Sequence, residues 1–311
     1  MTGFVAKLLD QPYWVIALLL GAALVVLPCV TINKDYYWKS HPPNAILPVV
    51  VGLALIALSS AAFVFSHLQD GITSAGAGVD LTRVKEHGEA LSTVVGDCEI
   101  NVVKGRIDDQ AQLPSAAIVV LPCNEYFDDE CAHDSRSALG AYVARAFEGQ
   151  ADAFISLAKE ECARRFGKGT EQQKTCEVRG QSFGVGQCAF LVKPLGRATP
   201  VALVSTTTQR AGQGLASQIS YLFSAMHALV ARLADTRFDE VVMPVLGAGH
   251  GGIYPPLAFV GLLLAVAEAA RYRQGGWHLK RVTIVVYRRD AQSSAQVDDA
   301  VIRRALALVG S

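Results

Sequence analysis

Two uncharged stretches near the N-terminus, residues 12–32 and 42–68, constrain this chain more than any other feature. A helix that crosses a bilayer needs about 20 predominantly apolar residues, and each stretch supplies them. Tyr13 and Trp14 open the first. Tyr36, Tyr37 and Trp38 lie in the short polar connector, where interfacial aromatics anchor a span. The expectation is a hairpin of two transmembrane helices, at about residues 12–32 and 45–67. A cleavable signal peptide is the competing reading, but the first segment is long for one and no small-residue cleavage site precedes the second. Lys7 outside the hairpin competes with Lys34 and Lys39 inside it, so charge bias leaves orientation open and mildly opposes a cytoplasmic N-terminus. Gly21, Gly52, Ser59 and Ser60 would allow close helix–helix contact and hence self-association.

The formal net charge is zero, and no basic run or basic–aromatic stripe suggests nucleic acid. Seven cysteines (Cys29, Cys98, Cys123, Cys131, Cys162, Cys176, Cys188) are scattered without a C-x-x-C pair, as expected of reduced thiols facing the cytosol. His133 and His250 lack metal-ligand spacing, so no metal site is expected.

Residues 70–78 are small and flexible and read as a linker. Residues 79–95 mix charged and apolar positions at roughly helical spacing and suggest a short connecting helix. The chain therefore divides into a hairpin (1–69), a linker with its helix (70–96) and a large domain (97–311). In that domain, strands are expected at 100–104, 116–121, 188–193, 201–205, 240–246 and 281–287. Helices are expected at 135–147, with Ser135 as a candidate N-cap, and at 150–165, 215–234, 255–273 and 297–309. Such alternation predicts a three-layer α/β/α fold.

Within it, Val241-Val242-Met243-Pro244-Val245-Leu246-Gly247-Ala248-Gly249-His250-Gly251-Gly252-Ile253-Tyr254-Pro255-Pro256 reads as a β-branched strand, a glycine loop and a proline-opened helix. Glycines without a Cβ let backbone N–H groups approach an anion, and the helix adds the positive end of its dipole. The loop lacks the Lys-Ser/Thr ending of a Walker loop and comes too late for a first Rossmann crossover. Three other stretches carry chemistry: Ile100-Asn101-Val102-Val103-Lys104-Gly105-Arg106-Ile107, Ala117-Ile118-Val119-Val120-Leu121-Pro122-Cys123-Asn124-Glu125, and the turn Gly180-Gln181-Ser182-Phe183-Gly184-Val185-Gly186. Ser205-Thr206-Thr207-Thr208-Gln209 follows a strand, where helix capping and ligand contact explain it equally well.

The glycine loop, together with the first two of those stretches in that order, resembles the macro domains, which recognise ADP-ribose and related nucleotides. The resemblance covers about residues 98–290. It implies a mixed-sheet macro fold and a diphosphate held by Gly247, Ala248, Gly249, His250, Gly251, Gly252 and Ile253. It also implies a ribose on Asn124, contacts from Gly105 and Ile107, pocket lining by Gly184 and Gly186, and an aromatic contact from Tyr287. Two departures stand out. Arg106 occupies the place of an Asp that accepts from the adenine amino group, with Asp108 and Asp109 as nearby substitutes. The stretch Phe127-Asp128-Asp129-Glu130-Cys131-Ala132-His133-Asp134-Ser135-Arg136-Ser137-Ala138-Leu139-Gly140 replaces the glycine-rich loop after Asn124, and its acidic part could hold a cationic or hydrogen-bonding group attached to the distal ribose.

A membrane hairpin joined to a macro domain is similar to the membrane effectors of bacterial Thoeris anti-phage systems. That resemblance implies a TIR-domain partner making an ADP-ribose-derived signal, histidine–ADP-ribose. It further implies a cytoplasmic macro domain that binds this signal, homo-oligomerisation, disruption of the inner-membrane lipid bilayer, and abortive infection. No cofactor beyond the nucleotide ligand and no catalytic residue is expected. The alternative is a membrane-anchored ADP-ribosylhydrolase drawing on Asn124, Glu125, Asp128 and Asp129.

Overall fold

Side chains on a strand alternate between faces, and here that alternation builds two cores on one sheet. In the computed structural model, which describes residues 80–109, 117–128, 130–175, 177–210, 214–273, 276–290 and 292–310, the chain divides between Val79 and Asp80. The expected membrane hairpin and the glycine-rich linker lie outside the described residues.

The strands are β1 (Lys85–His87), β2 (Ala90–Val95), β3 (Cys98–Gly105), β4 (Ile118–Asn124), β5 (Thr170–Gln173), β6 (Arg179–Ser182), β7 (Cys188–Leu191), β8 (Val201–Arg210), β9 (Gly214–Ala216), β10 (Glu240–Pro244) and β11 (Arg281–Tyr287). The helices are α1 (Glu130–His133), α2 (Ala138–Ala146), α3 (Ala151–Phe166), α4 (Ile219–Leu233), α5 (Pro255–Tyr272) and α6 (Asp299–Val309). The main sheet runs in the order β1-β2-β3-β11-β10-β4-β8-β7, with β9 beside β8 and a separate β5–β6 hairpin. Its five central strands, β3, β11, β10, β4 and β8, are mutually parallel, and β1, β2 and β7 pair antiparallel at the flanks.

Ile118 and Val120 of β4, Ala202 and Val204 of β8, Val241 and Met243 of β10, and Val282, Ile284 and Val286 of β11 pack against α4, α5 and α6. Their neighbours Val119, Leu121, Val201, Leu203, Val242 and Val285 pack against α2 and α3 on the other face. Burial on both faces explains the uninterrupted apolar runs of the central strands. Helix α5 buries one face against this core and leaves Leu257 and Leu264 exposed on the other. Among the described residues it is one helix long and apolar enough to cross a membrane, yet Phe259, Leu262, Leu263 and Val266 are buried in the core.

Several expectations need correction. Residues 80–95 form no connecting helix. After a single 3-10 turn at Leu81–Arg83 they supply β1 and β2, so the domain begins at about residue 80. Leu91 and Val95 enter the core from β2, which pairs antiparallel with β3 from Leu91↔Val102 to Val95↔Cys98. Helix α2 starts after Ser137, whose Oγ accepts from Gly140 N at 2.8 Å, and Ser135 is not its cap. Between α3 and β7, where no element is expected, lies the β5–β6 hairpin, whose short polar strands carry no apolar period. The run 201–205 extends as β8 to Arg210, and the expected start of the helix at 215 is instead β9.

Burial sets the energetic weight of each α5 residue. Phe259→Ala should cost about 3–5 kcal/mol in urea unfolding. Leu257→Ala, 53% exposed on the same helix, should cost about 0.5 kcal/mol or less. Equal losses would contradict this placement of the helix.

Candidate functional site

Parallel strands bring their carboxyl ends to one edge of the sheet, the edge where open α/β sheets hold ligands. The loop after β10 sits on that edge. Gly247 and Gly252 have φ of +78° and +74°, a region where only glycine is unstrained. The loop is closed by Gly252 N donating to Gly249 O and Ile253 N to Gly247 O, both at 3.1 Å. Ser217 clamps it from outside, its N donating to Gly251 O at 2.8 Å and its Oγ to Thr206 O at 2.6 Å. No described residue accepts from the N–H groups of Gly249, His250 or Gly251, and α5 begins just beyond with Pro255 and Pro256 in its first turn. The N–H groups of a glycine loop and a helix dipole thus meet in one place.

Facing the loop is the segment that leads into α2. Between them lies a cavity of about 90 Å³ lined by Cys123, Arg136, Ser137, Thr206, Thr207, Gly247, Gly249, His250 and Gly251, among others. A single water needs about 10–15 Å³ of such space, so the cavity holds several waters and has room for a phosphoryl group.

A β-bulge shapes the cavity floor. Cys123 pairs with Ser205 but Asn124 pairs with Thr207, so Thr206 is the extra residue on β8. Bulges re-aim side chains beside functional sites. Thr206 is among the residues lining the cavity, and its hydroxyl is fully buried with no hydrogen-bond partner among the described residues.

Charge at the rim is balanced internally. Arg136 grips Asp134 through Nε (3.0 Å to Oδ1) and Nη2 (3.0 Å to Oδ2), and Arg136 N donates to Oδ1 at 2.9 Å. These bonds hold the Asp134 carboxyl down at about 2, with a small contribution from His250. His250 Nε2 stands 3.2 Å from Asp134 Oδ2, joining the two walls of the cavity.

Asn124 ends β4 as expected, but its side chain is occupied. Its Oδ1 accepts from Tyr126 N at 3.0 Å, its Nδ2 donates to Asp128 Oδ1 at 2.8 Å, and the residue is 2% exposed. Asp128 also pairs with the buried Lys174 of the hairpin connection at 2.7 Å. This corrects the acidic-stretch expectation at Asp128, whose charge is neutralised by Lys174. Asp129 lies outside the described residues. Glu125 is buried and bridges to β8, both carboxylate oxygens accepting from Gln209 N at 3.0 Å; burial pushes its carboxyl up.

At the opposite end, Gly105 of β3 lies in register with Tyr287 of β11, and Tyr287 is half exposed. Arg106 does not stand free: its Nε and Nη2 each reach an Asp108 oxygen at 3.0 Å. Asp108 is therefore committed, and Asp109 faces Arg145 at 3.9 Å. Neither is a free acceptor for an amino group. The Ile107 side chain is buried in the core beneath this corner.

The Gly184–Gly186 turn is not part of the cavity. Gly184 O accepts from Ser205 Oγ at 2.9 Å, and a Cβ on Gly186 would lie 2.6 Å from the Ser224 Cβ on α4, so this turn packs beneath that helix. Thr206 stands in a run that helix capping explains equally well from the sequence, and Arg136 and Ser217 carry no local signal.

A family profile described as "Thoeris protein ThsA, Macro domain" matches residues 100–287, more than half of the chain. The chain belongs to the Thoeris ThsA macro-domain family. Among solved structures, it is similar to an Oceanobacillus iheyensis macrodomain with ADP (11% identity, 65% of this chain and 90% of that one, TM-score 0.46). It is also similar to the macrodomain of Thermus aquaticus DarG (19%, 60% and 98%, TM-score 0.38). A third is a Trypanosoma brucei macrodomain in complex with ADP-ribose (12%, 68% and 69%, TM-score 0.41). Comparison with curated proteins finds no match.

In this ThsA-type macro domain the cysteines among the described residues are Cys98, Cys123, Cys131, Cys162 and Cys188. Burial pushes the thiols of Cys98, Cys162 and Cys188 up to about 12 and Cys123 well above its ordinary value, which leaves them poor nucleophiles. The Asp128–Lys174 pair holds Asn124 in place. Lys174→Met should destabilise the domain by about 3 kcal/mol, because it strands a buried carboxylate. Adding Asp128→Asn should recover part of that loss in thermal unfolding, and no recovery would contradict the pairing.

Proposed function

We propose that this chain is a membrane effector of bacterial anti-phage defence, with a cytoplasmic macro domain that binds an ADP-ribose-derived nucleotide. The observation that carries this reading is the cavity between the glycine loop and Arg136, at the carboxyl edge of a ThsA-type macro domain. The signal is histidine–ADP-ribose made by a TIR-domain partner. Binding favours a homo-oligomer, and the N-terminal hairpin, two spans in the inner membrane, then disrupts the bilayer. The uncharged stretches 12–32 and 42–68 motivate the membrane step.

The second reading, a membrane-anchored ADP-ribosylhydrolase, rests on Asn124, Glu125 and Asp128. All three are tied into internal hydrogen bonds or ion pairs, whereas general acid–base work needs a group within reach of the reacting atoms. Ligand recognition is therefore the better-supported role.

The variant that tests the cavity is Gly249→Glu. A Cβ at Gly249 meets nothing within 4 Å, whereas one at Gly251 would lie 2.7 Å from Gly247 O and 2.8 Å from Ser217 Cβ. Gly249→Glu should keep the melting temperature and abolish calorimetric binding of ADP-ribose, because it sets a carboxylate against the phosphates. Undiminished affinity would move the site elsewhere. For the membrane step, liposomes carrying the full-length chain should release dye when histidine–ADP-ribose is saturating. Retained dye would refute disruption.

A further inference from the structure

The cavity holds two features that the glycine loop does not explain. One is the Thr206 hydroxyl, fully buried, at a β-bulge and without a partner among the described residues. A buried unpaired polar group carries a desolvation penalty that native structures avoid unless something else is gained. The other is Asp134, a carboxylate at the rim of a cavity otherwise furnished for an anion. It sits between the two cationic or potentially cationic side chains that line the cavity, Arg136 and His250.

We infer that the cavity is a phosphoryl seat in which Thr206 and Arg136 are the recognising side chains and Asp134 is an internal stand-in for the anion. This rests on the nucleotide-binding reading above and names the side chains that select the ligand's phosphoryl end. Without ligand, Asp134 takes the charge-assisted hydrogen bonds of Arg136 and keeps the walls together through His250. A phosphoryl group in the cavity accepts from the Thr206 hydroxyl, which then has a partner. It also competes with Asp134 for the guanidinium, whose planar fork matches phosphate as well as carboxylate. Arg136 is 85% exposed along its side chain, so it can swing between the two anions without disturbing packing. Like charge between Asp134 and the incoming phosphoryl group drives the exchange. Anion binding and release of the cross-wall contact are thereby the same event.

The variants separate recognition from folding. Thr206→Val keeps the shape and removes the unpaired hydroxyl, so the melting temperature should hold or rise. Its affinity for inorganic pyrophosphate and ADP in calorimetry should nevertheless fall roughly tenfold. Asp134→Asn retains an oxygen able to accept from Arg136 N, preserving the turn. It should tighten both probes roughly threefold, and Arg136→Gln should weaken them by a similar factor. In the double variant, the gain from Asp134→Asn should vanish. These measurements use the full-length chain in detergent micelles at one fixed salt concentration.

If the wild type binds ADP-ribose but neither Thr206→Val nor Asp134→Asn changes affinity, the seat is misassigned while the nucleotide-binding reading survives. Pyrophosphate binding with these variant effects, but no ADP-ribose binding, upholds the seat and overturns the nucleotide-binding reading. If the wild type binds neither pyrophosphate nor ADP, the seat itself is refuted.

Discussion

Ser217 sits between two things that would otherwise be independent, the end of strand β8 and the glycine loop after β10. Its hydroxyl donates to Thr206 O and its N–H to Gly251 O. Through these two bonds the bulge at Thr206 and the glycine loop that lines the cavity share one anchor. A glycine loop alone has many conformations and a high entropic cost of ordering. Fastened to the edge of a parallel sheet whose core is buried on both faces, it becomes one wall of a fixed site. The rest of the domain supplies that edge.

Much of this architecture was legible in the residues. The apolar runs of β4, β10 and β11 announced strands buried on both faces, and Tyr287 ended β11 where expected. Proline opening α5 located both the helix and the loop before it. What escaped was set by tertiary partners. Strand β2 was read as helix because Ser92 and Thr93 are buried within it, which spoils simple alternation. The β5–β6 hairpin is made of polar residues ordered by pairing with each other. The bulge at Thr206 depends on how β8 registers against β4, and register across two distant strands has no local signature.

The site residues divide in the same way. Gly247 and Gly252 were identifiable because their backbone conformation demands glycine. Asn124 was located correctly in the fold, but its side chain is engaged by Tyr126 N and Asp128, so reaching a ribose would require breaking those bonds. The acidic stretch looked like a receptor for a cation, and Lys174, forty-six residues beyond Asp128, fills that role within the chain. A similar balance holds Asp108 on Arg106 and Asp134 on Arg136. Internal partners occupy the charged groups around the sheet edge, so ligand binding here is a matter of exchange. That suits a sensor, whose resting state must differ from its occupied one by contacts the ligand replaces.

The central claim is that the crevice recognises an ADP-ribose-type nucleotide and leaves it whole. The most direct measurement is mass spectrometry of histidine–ADP-ribose incubated with the full-length chain, following both the protein-bound and the free nucleotide over time. The account predicts intact nucleotide retained by the wild-type chain, lost from Gly249→Glu, and no cleavage product. A cleavage product accumulating with time, or equal retention by both chains, would contradict it.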